Sequence, residues 1–520
     1  MNFPLFPISA PTLRQALVLL LSLTWTLGPQ TPLWAQTAEP SRANSLPHLG
    51  DGGDMAPAAE RRLGDRIVRA LYRDPDYIDD PVILDYLQGI WLPLMQAARQ
   101  RGELPPVLDE TYAWEILLGR DRSVNAFALP GGYLGVHLGL VAVVGSADEL
   151  ASVMAHELSH VTQRHIARSM ARQSDQAPWV LGAMILGALA ASKSPNAASA
   201  VVVGGQAAAV QTQLNFSRDM EREADRIGFG VMTQAGYAPQ GFVGMFEKLQ
   251  QASRLNDSGA FPYLRSHPLT TERIADMQAR VPAGAAAAPA EGPASLEHAQ
   301  ITARARVLSN PDVDSLRRWR AELESPQWAR QGVPQQVQVL YGATLAATQM
   351  RDYAQAQATL ARLRALVRGD SRAEQQAQLL GAELALAMGQ PALAAASLQG
   401  LQGRGRAPLL LQARADMAMG RAAQAAQNLQ TAVADRPQDA NAWQLLAQAN
   451  RLLGRAVAAV RCEAEANVAQ LDYASAVGRL KAAQDLARGA GAAGDLIEAS
   501  VVDARLRQVE QLLKAQALER

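Results

Sequence analysis

Cysteine is all but missing: the 520 residues hold one, Cys462. That excludes an intramolecular disulfide and any cysteine-based zinc module, and leaves Cys462 to be read as a small buried hydrophobe. Charge of one sign is not in excess either, since 49 Lys and Arg balance 49 Asp and Glu. This argues against a nucleic-acid protein, whose affinity comes from a basic surface. Past the N-terminal apolar run, no stretch reaches the roughly 20 apolar residues of a membrane span; Trp179 to Ala191 comes nearest but is short and rich in Gly and Ala. Aromatics make up only 5%, whereas alanine is abundant toward the C-terminus, a lean toward helices packed through small side chains. With 48% apolar and 19% charged residues the chain can build cores, and its length exceeds one core of about 100 to 200 residues, so at least two domains are expected.

The N-terminus reads as a secretory signal peptide over residues 1–35. Arg14 precedes the apolar run from Ala16 to Leu27, and Pro29, Pro32 and the small Ala35 follow. Leu33 is a less usual residue at its place before the cleavage point, and an uncleaved anchor is the alternative. No Cys follows the run, so no lipid attachment is expected. Residues 36–55 are polar and rich in Pro and Gly, a flexible N-terminus.

Helical spacing begins with Leu63, Ile67 and Leu71 and continues in Ile83, Leu87, Ile90 and Leu94. Trp114 to Leu118 reads as a short strand, and Val124 to Leu129 and Tyr133 to Val136 flank Pro130-Gly131-Gly132 as a hairpin. Ser146-Ala147-Asp148-Glu149 is a capping box, and Leu150, Val153, Met154, Leu158 and Val161 continue one buried helix face. Trp179 to Ala191 and Ala197 to Val210 read as buried helices that pack on the domain, on the repeats or against a membrane surface; a further helix covers Arg218 to Gln234. Residues 281–294, rich in Pro, Ala and Gly, form a linker by composition. After it, four segments align on Met350, Met388, Met419 and Leu453, at a mean interval of about 34 residues. Gly389, Gly420 and Gly454 end the first helix of a pair, where positive φ is tolerated. Residues 295–520 are therefore expected to form an all-α tetratricopeptide-type solenoid, irregular near Leu471 to Ala476, with an unrelated Ala-rich bundle as the alternative.

The chemistry centres on His156-Glu157-Leu158-Ser159-His160. On a helix the two imidazoles project about 40° apart and can grip one metal, with Glu157 on the same side as a general base toward a water. Seven histidines in the whole chain make a chance H-E-x-x-H improbable. Gln163 and Ile166 stand where a metzincin would carry Gly and His, so that class is rejected. His165, about 180° around a continuous helix from His156, is expected at the surface. Further ligation must come from elsewhere, and Glu221 and Asp225, one turn apart, can divide the work: one binds metal, the other accepts the free N–H of a ligand histidine. Glu223 is expected to face solvent. His267, before Pro268, sits on a loop that could approach the metal as a fourth ligand or as a donor to the oxyanion, or cap the helix starting near Thr270.

His156 to His160, Glu221-x-x-x-Asp225, the Asn125-to-Tyr133 hairpin and Ser266-His267-Pro268 with Arg273-Ile274 together resemble the zinc metalloproteases that include HtpX, the CAAX prenyl protease and BepA, over roughly Ala59 to Gln278. The preceding leader, the lack of membrane spans and the following repeats make the chain most similar to the periplasmic BepA-type members. The resemblance implies an α+β zincin-like (gluzincin) metalloprotease domain over 56–280, one zinc ion held by His156, His160 and Glu221, and catalysis by Glu157 with His267 and Asp225 in the site. It implies a periplasmic endopeptidase acting on protein or peptide substrates in quality control of outer-membrane proteins, with the repeats recruiting substrates or the outer-membrane assembly machinery. No nucleic-acid partner is expected, and any membrane contact is peripheral. The competing reading is a non-catalytic chaperone or scaffold with a structural zinc, which would not need Glu157; an aminopeptidase lacks a motif for a free N-terminus. His137, beside the hairpin, is expected as a partly exposed strand residue without a role.

Overall fold

Proline opens each of the first three described helices, α1 (Pro57–Leu71), α2 (Pro81–Gln100) and α3 (Pro106–Thr111). At that position the missing N–H has no intrahelical partner to lose. Asp80 caps α2 by accepting the Ile83 N–H at 2.9 Å, and the apolar spacing buries Ile83, Leu87, Ile90 and Leu94. The computed structural model describes residues 55–171, 217–254, 261–282, 295–401, 403, 405–489 and 496–518. The expected leader, the polar segment up to 54, the apolar segments Trp179 to Ala191 and Ala197 to Val210, and 283–294 of the expected linker lie outside the described residues.

Strands β1 (Tyr77–Ile78), β2 (Glu115–Gly119), β3 (Ala126–Leu129) and β4 (Tyr133–His137) form one mixed sheet in the order β1-β2-β4-β3. β2 and β4 run parallel, and β3 pairs antiparallel with β4 from Ala126↔Val136 to Leu129↔Tyr133. This is the expected hairpin, and it leaves β3 on the outside of the sheet. His137 ends β4 buried, not partly exposed, because its Nδ1 lies 3.0 Å from Ser123 Oγ and Phe127 meets its ring edge-on.

Helix α4 (Leu138–Val143) leads to α5 (Ala147–Thr162), which Ser146 caps as the box predicts, accepting the Glu149 N–H at 3.2 Å. More than one face of α5 is covered: every residue from Glu149 to Thr162 is buried. Polar side chains inside must then find partners, and Glu149 does so by accepting from Lys248 Nζ and Gly145 N, each at 2.6 Å. After α6 (His165–Ala171) come α7 (Arg218–Gln234), α8 (Gln240–Arg254), α9 (Tyr263–Ser266) and α10 (Thr271–Arg280). Helix α7 crosses α5 closely at Gly228, where a Cβ would stand 3.0 Å from His156 N. A larger residue there would hold α7 off the histidines.

The rest is helical: α11 (Leu296–Ser309), α12 (Val313–Glu324), α13 (Val333–Gln349), α14 (Tyr353–Leu366), α15 (Ser371–Ala387), α16 (Pro391–Ser397), α17 (Arg406–Ala418), α18 (Ala422–Asp435), α19 (Ala440–Leu452), α20 (Ala456–Ala469), α21 (Tyr473–Gly489) and α22 (Leu496–Leu518). The expected repeat anchors Met350, Met388, Met419 and Leu453 are the C-caps of α13, α15, α17 and α19. The residue after each has positive φ: 70°, 76° and 72° at Gly389, Gly420 and Gly454, and 61° at Arg351, which holds the same turn without glycine. These helices form a solenoid.

The solenoid shares its core with the sheet-bearing part. Ile301, Leu379, Leu398 and Leu411 belong to the same buried cluster as Leu87, Leu134 and Leu158. Polar pairs close the seam. Arg304, buried on α11, donates to Asp80 Oδ2 at 2.8 Å and to Glu383 Oε1 at 2.7 Å, while Arg406 bonds both Asp79 and Asp439. Asp85 accepts the backbone N–H of Ala407 at 2.8 Å. Residues from Gly52 to Arg520 form one compact unit.

Candidate active site

One turn of α5 places His156 and His160 on the same side, and one turn of α7 does the same for Glu221 and Asp225. All four are at most 1% exposed. His267, at the C-cap of α9, completes the group: ligand atoms of His156, His160, Glu221 and His267 all lie within 4.8 Å of one another. The Nε2 atoms of His156 and His160 are 2.9 Å apart, and Glu221 Oε1 is 3.4 Å from His160 Nε2. His267 Nδ1 lies 3.3 Å from His156 Nε2 and 3.0 Å from Glu221 Oε1.

On the far side of His156, Nδ1 lies 2.9 Å from Asp225 Oδ1. A carboxylate can only accept, so this contact favours hydrogen on Nδ1 and turns Nε2 toward the cluster. Arg273, from α10, holds both carboxylates: its Nε is 2.6 Å from Asp225 Oδ2 and its Nη1 is 2.9 Å from Glu221 Oε2. Imidazole nitrogens and one carboxylate converging in a buried pocket are the donor set a zinc ion takes, and the residues present fit that ion.

Glu157 is fully buried between two elements. Its Oε2 accepts the Ala128 N–H at 2.9 Å, and its Oε1 lies 3.4 Å from His267 Nε2 with no hydrogen-bond partner among the described residues. Burial pushes the Glu157 carboxyl up. Burial alone would lower His156, but Asp225 and Glu221 outweigh it and push the imidazole up to about 9. His160 is held well below the ordinary histidine value by burial. Burial would raise Glu221 and Asp225, yet the neighbouring imidazoles hold Glu221 well below the carboxylate range and Arg273 holds Asp225 down. The site is built of opposite charges under little solvent.

Peptidase family M48 matches residues 98–281. A beta-barrel assembly-enhancing protease of Escherichia coli K12 is 31% identical over 515 residues, covering 96% of this chain and 97% of that protein. The chain belongs to peptidase family M48. It is a metalloendopeptidase. A beta-barrel assembly-enhancing protease of Yersinia pestis is 34% identical over 241 residues, and here the match spans about half of each protein, 45% of this chain and 47% of the relative. The mitochondrial metalloendopeptidase OMA1 of Saccharomyces cerevisiae is 27% identical over 201 residues, 38% of this chain and 55% of that one.

Two expectations about this M48 site are corrected. His165 is not at the surface but fully buried, with Nδ1 2.8 Å from His160 Nδ1. The helix does not continue as assumed: Arg164 takes φ of 53°, α5 stops, and the turn brings His165 back over His160. Glu223 does not simply face solvent; it is half-buried and pairs with His165 Nε2 at 3.1 Å and Arg168 Nη1 at 2.9 Å, which together hold its carboxyl down at about 2 against burial. The cap of α10 is Thr270, which accepts the Arg273 N–H, so His267 does not serve there. Sequence reading gave Arg273 no role. The signal available was its place one turn before Met277 on α10, on an apolar face, and both are buried.

Proposed function

We propose that this chain is a zinc-dependent endopeptidase of the periplasm in which His156, His160 and Glu221 hold the ion and Glu157 is the general base. The observation that carries the reading is the convergence of those three residues beside a buried Glu157 whose Oε1 has no hydrogen-bond partner among the described residues. The chemistry that zinc supplies there is Lewis acidity, lowering the pKa of a water to about 7 and polarising the scissile carbonyl. Glu157 takes the proton of the attacking water and delivers it to the leaving amine nitrogen. Asp225 orients His156, and Arg273 fixes Asp225 and Glu221 together. The outer edge of β3 receives the substrate as an added strand, which aligns a carbonyl with little demand on sequence.

His267 acts as a fourth ligand that keeps the resting site latent. Its Nδ1 stands among the donors, its ring stacks on Tyr263 at 4.6 Å, and Tyr263 N is tied to Val124 O. Opening the site then requires the α9 loop to move.

The two relatives named as beta-barrel assembly-enhancing proteases support substrates among β-barrel proteins of the outer membrane or their assembly machinery. The tetratricopeptide-type array supplies chaperone-like recruitment, and the leader pattern over 1–35, the linker over 281–294 and the protease domain over 56–280 complete the organisation. Among the described residues no helix is long and apolar enough to cross a membrane. The deciding experiment measures casein degradation by the native chain with and without a chelator, beside Glu157→Gln. Cleavage that survives both treatments in a clean preparation sinks the proposal.

A further inference from the structure

The far side of the second histidine carries a chain of polar groups that the proposed mechanism does not use. Glu223 Oε2 can only accept, so the hydrogen it shares with His165 at 3.1 Å sits on His165 Nε2. Arg168 Nη1, 2.9 Å from the same oxygen, already matches the charge of Glu223, so His165 need not be a second cation. A neutral His165 with hydrogen on Nε2 bears a lone pair on Nδ1. Across the 2.8 Å contact it is then His160 Nδ1 that donates. The other nitrogen of His160, Nε2, is left bare, and it is the atom that faces His156 and Glu221.

We propose that His165, held by Glu223 and Arg168, is a positioning residue that fixes the tautomer and ring orientation of His160 as a metal ligand. The inference rests on the zinc reading above. It parallels the other ligand, where Asp225 of α7 with Arg273 of α10 stands behind His156; here α6 supplies His165 and Arg168, and α7 again supplies the carboxylate, Glu223. The left-handed turn at Arg164 makes it possible. Arg164 takes that φ of 53° without being glycine, and it is secured there by Nε donating to Glu60 Oε2 at 3.0 Å. His165 touches neither substrate nor the ion; it acts through His160.

The test uses the full chain and Zn2+ itself. Zinc affinity is measured by competition with a chromogenic chelator for the native chain, His165→Leu, His165→Gln and Glu223→Ala, together with the melting of each metal-free form and kcat and KM at saturating zinc. Losing an outer partner of a metal ligand weakens binding about 10- to 100-fold, and that loss is expected for His165→Leu and Glu223→Ala. Glutamine offers an acceptor oxygen and a donor NH2, so His165→Gln should return affinity to within about threefold of native, with KM unchanged in all three. A native-like Kd for His165→Leu, or a His165→Gln as weak as the leucine variant, overturns the proposal. Should the leucine variant not fold, Glu223→Ala decides, since its side chain is half-buried and a native-like Kd there is equally fatal. Failure of the zinc reading looks different: the native chain would not compete for zinc, or His160→Ala would bind it as well as native.

Discussion

Glu157 Oε2 accepts the backbone N–H of Ala128 at 2.9 Å, fastening α5 to the outer strand of the sheet. One contact thus ties the proposed general base to the edge along which a substrate would lie. Because glutamine can accept the same N–H, Glu157→Gln should leave the fold and the bound zinc intact while turnover of casein falls about 10²- to 10⁴-fold. Zinc content and initial rates measured on one preparation check both halves of that statement.

Removing the metal should do more than stop catalysis. Four buried groups lie within 4.8 Å, and without a cation between them their contacts rest on protons alone. A ligand at 100 times its Kd stabilises the folded state by about 2.7 kcal/mol. Calorimetry of the chelated and zinc-loaded chain should therefore show a lower melting temperature for the former, restored by adding zinc. Equal melting temperatures would contradict the site.

The proposed latent arrangement predicts that His267→Ala raises proteolysis, since the removed ring is the one whose Nδ1 stands among the proposed ligand atoms. Initial rates against casein decide it. A fall in rate instead assigns His267 to the oxyanion.

Arg304 makes a third target, remote from the metal. Its guanidinium is buried against Asp80 and Glu383, and cutting one partner from a buried ion pair costs about 3–5 kcal/mol because the other charge is stranded. Arg304→Met should lose roughly that much in urea unfolding, and combining it with Asp80→Asn and Glu383→Gln should recover a large share.

Stability should also carry a slope in pH. Burial pushes the Glu115 carboxyl up to about 7, with Tyr72 Oη donating to it at 2.6 Å. The folded chain keeps a proton that the unfolded chain releases near an ordinary value of about 4.3. The contribution is therefore whole below that value and is lost as pH rises toward 7, at up to about 1.4 kcal/mol per pH unit. Urea midpoints across that window should fall with pH for native protein and fall less steeply for Glu115→Gln.

The catalytic helix was legible because H-E-x-x-H and its capping serine are local: 3.6-residue periodicity alone puts His156 and His160 together. The Glu221 and Asp225 pair followed from the same rule. His165 did not, since nothing in its spacing announces that Arg164 leaves the helix with positive φ. The repeat anchors Met350, Met388, Met419 and Leu453 were visible because each ends a helix before a tight turn. Their attachment was not: Arg304 meets Asp80, and Arg406 meets Asp79, across separations of over two hundred residues, and no periodicity links such partners. The expected partial exposure of His137 failed for a related reason, as Ser123 and Phe127 close over it only once β3 and β4 pair.

The seam between the sheet-bearing part and the first helices of the solenoid limits how such a protein can diversify. Ile301, Leu379 and Leu411 fill the interior of the catalytic part as much as their own, so an exchange of α11, α15 or α17 for foreign repeats would leave the protease with a hole. The apolar clusters of α18 to α22 are separate from that interior. If the repeats recruit substrates as proposed, new client preferences can therefore arise at the distal helices by drift or insertion, whereas the proximal ones are inherited together with the peptidase.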